Sequence, residues 1–135
     1  MAQLSPYLTF DGNCRQAMDF YQTCLGGELY VMRVADSAMK DQSPAEIQEC
    51  IMHSRLQAGD VVFMASDTLG RGEVTRGNGT TLCIVGRSKA EIQDLFAKLA
   101  EGGTVSQPLI DAFFGTFGEL TDKFGVNWMF QAEPE

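Results

Sequence analysis

One histidine and two arginines are the residues of this chain whose types and spacing best suit polar chemistry. In a strand-like stretch, Ser54 and Leu56 are expected to face a helix. Alternation then places His53 and Arg55 on the other side, with Arg33 on a neighbouring strand. His53 is a candidate catalytic base or hydrogen-bonding group, and the arginines suit an anionic group. The competing interpretation is a histidine in a cavity wall or dimer interface that is satisfied by backbone and water.

A second group of candidates is aromatic and sulfur-rich. Such side chains line apolar ligand pockets, and Tyr7 would add a polar handle. The alternative is that Trp128 and the adjacent phenylalanines belong to the core or to an interface. The group comprises Tyr7, Phe63, Phe113, Phe114, Trp128 and Met129.

The elements that must position these residues occur twice in the chain. Leu8–Phe10 leads to an amphipathic stretch that ends at Gly26–Gly27, and Leu82–Ile84 leads to another that ends at Gly102–Gly103. Each copy predicts a strand, a helix, a Gly-Gly stop and a further strand. A repeat of half a chain is typical of two paired modules, and a site is then expected between them.

Both predicted helices begin with a capping signal. Asn13 is a good N-cap with Gln16 three residues on, and Ser88 with Glu91 forms the capping-box pattern. Apolar residues then recur at helical spacing in each stretch.

Strand-like runs complete each module. The first module has three predicted strands, and a tight turn at Ala58–Asp60 joins the last two of them. The second module has three predicted strands after its helix. The predicted strands are 28–35, 49–57, 60–66, 104–112, 115–121 and 126–131. The order is β-α-β-β-β twice, so the fold class is α+β. We expect one domain over residues 1–135, with modules at about 1–68 and 80–135 and a flexible linker at about 68–79.

Bulk properties exclude several function classes. The chain has 135 residues, 44% hydrophobic and 21% charged, so it is long enough to bury a core. A net charge of −8 argues against nucleic acids and anionic membranes as partners. No long apolar run or signal-peptide pattern is present, and a cytoplasmic location is expected.

The cysteine spacing argues against a zinc site or a disulfide framework. Cys14, Cys24, Cys50 and Cys83 form no Cys-x-x-Cys pair, and one histidine cannot complete a Cys-His set. We expect buried free thiols that pack as small hydrophobic side chains.

The amino-acid sequence resembles those of the PhnB-like proteins of the vicinal oxygen chelate superfamily, which includes glyoxalase I, extradiol dioxygenases and bleomycin-resistance proteins. The resemblance extends over the whole chain and is carried by Pro6–Tyr21, Leu25–Glu28, Met52–His53, Met64–Asp67 and Leu120–Met129. It implies two βαβββ modules whose curved sheets enclose a central cavity, usually completed in a homodimer. It does not imply one activity, because fold and function separate easily.

The resemblance also implies where metal ligands would stand, on the first and last strand of each module. Those positions fall on Tyr7 (or Pro6), on Phe63 with Met64 as its neighbour, on Thr81 or Cys83, and on Met129. These residues, apart from Cys83, are not the imidazole and carboxylate ligands that a divalent ion prefers. We therefore predict no metal site and no cofactor.

The predicted function is metal-independent binding of a small molecule in the cavity between the modules of a homodimer. The predicted ligand-binding residues are Tyr7, Arg33, His53, Arg55, Phe63 and Met129. One alternative is a metal-dependent lyase, isomerase or dioxygenase of the same superfamily. Another is a non-enzymatic interaction dimer. Whether the chain is an enzyme is left open.

Overall fold

The chain divides within the segment predicted as a linker. The computed structural model describes residues 2–135 and forms two compact units, one up to Thr75 and the other from Arg76 to Glu135. Each unit contains one β-α-β-β-β set, in the predicted order.

The first unit is a four-stranded sheet with one long helix. Its elements are β1 (Tyr7–Phe10), α1 (Cys14–Leu25), β2 (Glu28–Arg33), β3 (Ile51–Ala58) and β4 (Val61–Asp67). The strand order is β1-β4-β3-β2, with β1 parallel to β4 and the other neighbours antiparallel. Three short 3-10 turns, within residues 34–47, fill the loop between β2 and β3.

One face of this sheet packs on α1. Alternation buries Leu56 and Phe63, and the Phe63 ring meets the Tyr21 ring of α1 edge-on, with 5.6 Å between ring centroids. Gly27, at the start of β2, has φ +85°, and a Cβ there would collide with the Gln57 carbonyl oxygen. The predicted Gly-Gly stop is therefore required by a close approach of two strands as well as by the helix end.

The second unit repeats this arrangement. Its elements are β5 (Leu82–Gly86), α2 (Lys89–Ala100), β6 (Thr104–Ala112), β7 (Gly115–Thr121) and β8 (Asn127–Ala132). The strand order is β5-β8-β7-β6, with β5 parallel to β8.

Trp128 belongs to the core of the second unit. It is buried, and its indole N–H donates to Asp122 at 2.7 Å. Next along the same face, Phe130 meets Phe96 of α2. The core interpretation is thus confirmed for Trp128, but it is wrong for Phe113, which lies in the β6–β7 turn and is 95% exposed.

The two helices are capped in different ways. The Ser88 side chain accepts the Glu91 N–H at 3.2 Å, as predicted for α2. Asn13 makes no side-chain cap for α1, so that prediction is wrong. Asp67, at the end of β4, accepts the N–H groups of Gly12 and Cys14 at 2.9 and 3.0 Å instead. A buried carboxylate from a distant strand thus replaces the local cap.

Within residues 2–135, no helix combines the length and apolar character that crossing a membrane requires.

Candidate functional site

The sheet of the first unit has a second face, turned away from α1, and we call it the first helix-free face. Strand register places Tyr7, Met64, Arg55 and Tyr30 side by side in one row across all four strands. Directly paired residues point to the same side of a sheet, and Leu56 and Phe63 point to the other. The row is therefore a continuous surface of two tyrosines, a thioether and a guanidinium.

His53 lies beside this row and joins the two tyrosines. Its Nδ1 is 3.2 Å from the Tyr7 hydroxyl oxygen. The His53 ring lies 5.9 Å from the Tyr7 ring and 6.5 Å from the Tyr30 ring, centroid to centroid. The structure thus brings together two residues that the sequence predicted separately, Tyr7 and His53, and adds Tyr30.

The Tyr7–His53 hydrogen bond bears on which ring nitrogen of the imidazole carries the proton. When the hydroxyl donates to Nδ1 of the neutral ring, the proton is on Nε2, which then acts as a donor. In that tautomer the half-buried His53 offers a donor close to two aromatic rings. This arrangement suits an acceptor on a flat ligand.

Arg55 has an exposed guanidinium on the same face. It donates to the neutral Gln57 side chain at 2.9 Å, and in the described chain it forms no ion pair. Its positive charge is therefore available to a ligand.

The positive charge of Arg33, in contrast, already has partners within the protein. Its guanidinium binds Asp36 at 2.7 and 2.8 Å and Glu49 at 2.7 and 3.0 Å. The hydrogen bonds that it donates, first to Asp36 and then to Glu49, hold the pKa of Arg33 above its ordinary value. A β-bulge after Met32 shifts the strand register at this point. That Arg33 serves a ligand stays a prediction, and two carboxylates already compensate the charge that it would offer.

The predicted placement of Phe63 is corrected. It was predicted on the cavity side, but it is 2% exposed and packs on Tyr21 beneath the sheet. Met64, its neighbour, takes the place on the helix-free face. The prediction counts four residues from Gly59 to Phe63 and four from Gly125 to Met129. The two counts are not equivalent, because the β3–β4 turn has two residues, whereas the β7–β8 turn spans residues 122–126.

The second unit has an equivalent face, which we call the second helix-free face. There the register aligns Cys83, Met129, Glu119 and Gln107 in the corresponding row. Met129 thus lies on the predicted side of β8. Cys83 is exposed, so the expectation of a buried thiol is wrong for it, although Cys14 and Cys24 are buried.

The residues at the superfamily's ligand positions do not fit a divalent metal ion. On the first face these positions are Tyr7 and Met64, and on the second they are Cys83 and Met129. The phenol and the two thioethers are poor ligands for ions that bind imidazole and carboxylate, which leaves Cys83 as the one usual ligand among the four. In the described part of the chain, no three His, Cys, Asp or Glu side chains are grouped closely enough to hold a metal. Metal independence itself stays a prediction.

Tyr30 and Met64 were missed by the sequence reasoning. Alternation along β2 from the helix-side Leu29 would have placed Tyr30 beside Arg55, and this signal was available. Met64 needed the register of β1 against β4, which joins strands more than fifty residues apart.

Two clefts lie in the second unit, and neither is lined by Tyr7 or His53. One, of about 270 Å³, is lined by polar residues that include Thr81, Glu119 and Asn127. The other, of about 260 Å³, lies between Lys89, Asp111 and the last residues of the chain. Neither contains a predicted ligand-binding residue.

Comparison with known proteins identifies relatives over nearly the whole chain. A family model described as 3-demethylubiquinone-9 3-methyltransferase matches residues 2–131. Protein YjdN of Escherichia coli (strain K12) is 31% identical over 137 residues, which cover 93% of this chain and 92% of YjdN. The solved structure of PA1353 from Pseudomonas aeruginosa is 41% identical, covers all of both chains and has a TM-score of 0.88.

More distant solved structures share the fold. A Bacillus cereus protein described as putative 3-demethylubiquinone-9 3-methyltransferase, PhnB protein, is 24% identical over 97% of this chain and 99% of its own, with a TM-score of 0.77. A glyoxalase-related enzyme from Fulvimarina pelagi is 17% identical over 98% of this chain and 89% of its own, with a TM-score of 0.65. These likenesses confirm the predicted α+β fold of the glyoxalase and bleomycin-resistance type.

Proposed function

The chain belongs to the PhnB-like 3-demethylubiquinone-9 3-methyltransferase family, within the glyoxalase and bleomycin-resistance superfamily, and from this premise we propose that it binds a small organic molecule without a metal ion. The proposed binding surface is the first helix-free face. Family membership alone names no ligand, because proteins of one fold serve many functions.

The observation that carries this proposal is the aromatic cluster of Tyr7, His53 and Tyr30. Both tyrosines lie on a sheet face, yet Tyr7 is 48% and Tyr30 57% exposed. Grouped exposed aromatic side chains with polar groups beside them are typical of binding surfaces. The Tyr7–His53 hydrogen bond and the ring contacts hold the cluster together before any ligand arrives. Such preorganisation lowers the entropy cost of binding.

Metal independence is supported by the residues at the superfamily's ligand positions. Tyr7 and Met64 occupy those positions in the first unit, and neither is a preferred ligand of a divalent ion. We infer that substrate chelation, the mode implied by the superfamily, is replaced by direct contacts with side chains.

His53 provides a single-residue reporter for the test. Because the chain has one histidine, the imidazole protons of tag-free protein give one set of NMR signals. A library of small aromatic and aliphatic compounds should include ligands that shift these signals saturably. Tyr7→Ala and Tyr30→Ala should weaken the binding of those ligands about tenfold, which corresponds to the 1–1.5 kcal/mol of a lost aromatic contact.

Phe113→Ala is the matched control, because Phe113 is an exposed aromatic residue outside this face. It should leave the affinity unchanged. If no compound shifts the His53 signals, or if Phe113→Ala weakens binding as much as Tyr30→Ala does, the proposed site is wrong.

Elemental analysis tests the metal-independent part. Protein purified without chelator or affinity metal should hold far less than one equivalent of Ni, Zn, Mn or Fe, and EDTA should not change ligand affinity. One equivalent of bound metal would favour a chelating enzyme of the same superfamily.

A further inference from the structure

We propose that the ligand of the first helix-free face is a planar aromatic anion, of the class of aromatic carboxylates; this inference rests on the function proposed above. Three features lead to it: an uncompensated positive charge, two exposed flat rings, and a hydrogen-bond donor between them.

Arg55 supplies the positive charge. It lies on β3 directly opposite Tyr30 on one side and Met64 on the other, so it stands in the middle of the row. Its guanidinium donates a hydrogen bond to the neutral Gln57 side chain. Glu28 lies on the same face at the start of β2, and it forms no ion pair with Arg55. A guanidinium in this state pairs well with a carboxylate through two parallel hydrogen bonds.

Arg33 shows what a compensated arginine looks like in the same unit. Its guanidinium donates four hydrogen bonds to the carboxylates of Asp36 and Glu49. Since both arginines are at least partly exposed, solvent access does not explain the difference. Arg55 has no carboxylate partner in residues 2–135, and an anionic ligand would provide one.

The aromatic cluster supplies the flat surface. The rings of Tyr7 and His53 are inclined by only 27°, with 5.9 Å between their centroids. Tyr30 continues the cluster on the far side of His53, next to Arg55. A planar ring stacks on such a surface more favourably than a saturated one of similar size. Its carboxylate then lies within reach of Arg55, and the Nε2 proton of His53 suits a second acceptor.

Because the whole chain carries a net negative charge, binding of an anionic ligand depends on Arg55. With a net charge of −8, the protein repels anions at long range and attracts cations. An anionic ligand therefore requires a local cation, whereas a cationic ligand would be disfavoured by Arg55 at short range. On the second helix-free face the equivalent position holds Glu119, so the preference for anions is specific to the first unit.

The test uses matched probes of one shape and different charge. 2-Naphthoate, 2-naphthamide and 2-naphthylmethylamine are titrated into tag-free protein, and the His53 imidazole signals are followed by NMR. Cyclohexanecarboxylate and inorganic phosphate test an anion without an aromatic ring. We expect 2-naphthoate to bind at least about tenfold more tightly than each of the others, as a charge-assisted bidentate pair requires.

Variants separate charge from packing. Arg55→Gln should reduce 2-naphthoate affinity about tenfold and abolish its advantage over 2-naphthamide, and Arg55→Lys should fall between Arg55→Gln and the unchanged protein. Arg33→Gln is the control and should change neither affinity. Circular dichroism on each variant verifies that the fold is kept.

The outcomes distinguish the two proposals. If 2-naphthamide or the amine binds as tightly as 2-naphthoate at His53, the first helix-free face is a binding site but the anion preference is wrong. If phosphate binds as tightly as 2-naphthoate, the aromatic requirement is wrong. If none of the probes and no library compound shifts the His53 signals, the proposed function fails first.

Discussion

The two helix-free faces use the same strand positions for different chemistry. In corresponding places, the first has Tyr7, Met64, Arg55 and Tyr30, and the second has Cys83, Met129, Glu119 and Gln107. His53 corresponds to Phe117 on β7. The first face therefore carries a cation and a phenol where the second carries an anion and a thiol. The repeated backbone fixes where side chains point, and the residue types decide what each face can bind.

The units also differ in how their helices begin. The N-terminus of α2 is satisfied locally by Ser88, whereas that of α1 depends on Asp67, more than fifty residues away. Asp67 also accepts the Ile51 N–H at 2.7 Å, so one buried carboxylate joins α1, β3 and β4. The N-terminus of α1 is consequently more sensitive than that of α2 to a substitution far away in the sequence.

Adjacent residues on β4 should give the largest contrast in stability. Phe63→Ala removes a buried ring from the contact with Tyr21 and should lower the free energy of unfolding by about 4 kcal/mol. Met64→Ala, on the helix-free face, should cost less than about 1 kcal/mol. Urea denaturation followed by circular dichroism measures both. Similar losses would mean that the two faces of β4 are assigned the wrong way round.

The capping contrast should be the next largest. Asp67→Ala leaves three backbone N–H groups without their acceptor and should cost about 3 kcal/mol. Ser88→Ala removes one exposed cap and should cost about 1 kcal/mol. The same denaturation experiment applies. If Ser88→Ala is the more damaging substitution, the difference between local and distant capping is wrong.

Cys83 and Cys14 should differ in reactivity because Cys83 is exposed to solvent and Cys14 is buried. Cys83 is exposed on the second helix-free face, and burial raises the pKa of the Cys14 thiol to about 12. The pKa of Cys83 is also raised by desolvation, but its side chain remains accessible. At pH 8, Cys83 should react with iodoacetamide at least about a hundredfold faster than Cys14, since only the thiolate is nucleophilic. Peptide mass spectrometry over time measures both rates. Comparable rates in the folded protein would contradict the assigned burial.

The exposed ion pairs should give the smallest effects, and these depend on pH. Hydrogen bonds from Arg33 and Lys89 hold the pKa values of Asp36 and Asp111, respectively, below their ordinary range. A lowered folded-state pKa stabilises the protein above the unfolded-state pKa, and this contribution is lost as pH falls through the lower value. Asp36→Asn and Asp111→Asn should therefore be slightly less stable than the unchanged protein at pH 7.

This difference should begin to shrink as the pH falls below about 4, close to the ordinary aspartate pKa, and should vanish only below the lowered folded-state pKa. Thermal unfolding at pH 7 and at pH 3 measures the decrease. A difference as large at pH 3 as at pH 7 would show that the substitutions act through packing instead of charge. Since both pairs are solvent-exposed, each effect should be small.

Most of the fold followed from short-range signals. The strands at 104–112 and 115–121 have the predicted bounds, and the Gly59 turn and the Ser88 cap are where the sequence placed them. The Asn13 cap failed because a buried aspartate outside the local segment supplied a better acceptor. Local propensity could not show this competition.

The candidate site was predictable only in part. His53 and Arg55 were assigned to the correct face because alternation within β3 is regular. Phe63 was not, since the short β3–β4 turn changed what a count of residues implied. A shift of one residue moves a strand side chain to the opposite face.

The sequence by itself determined the two β-α-β-β-β sets and their family. These follow from periodicity, turn residues and composition, which act over a few neighbours in the chain. Only the tertiary structure decided that Arg55 is uncompensated while Arg33 is paired, and that Tyr7 reaches His53. The Tyr7–His53 and Arg33–Glu49 contacts join residues 46 and 16 positions apart, so they depend on register between strands, which sequence periodicity does not specify.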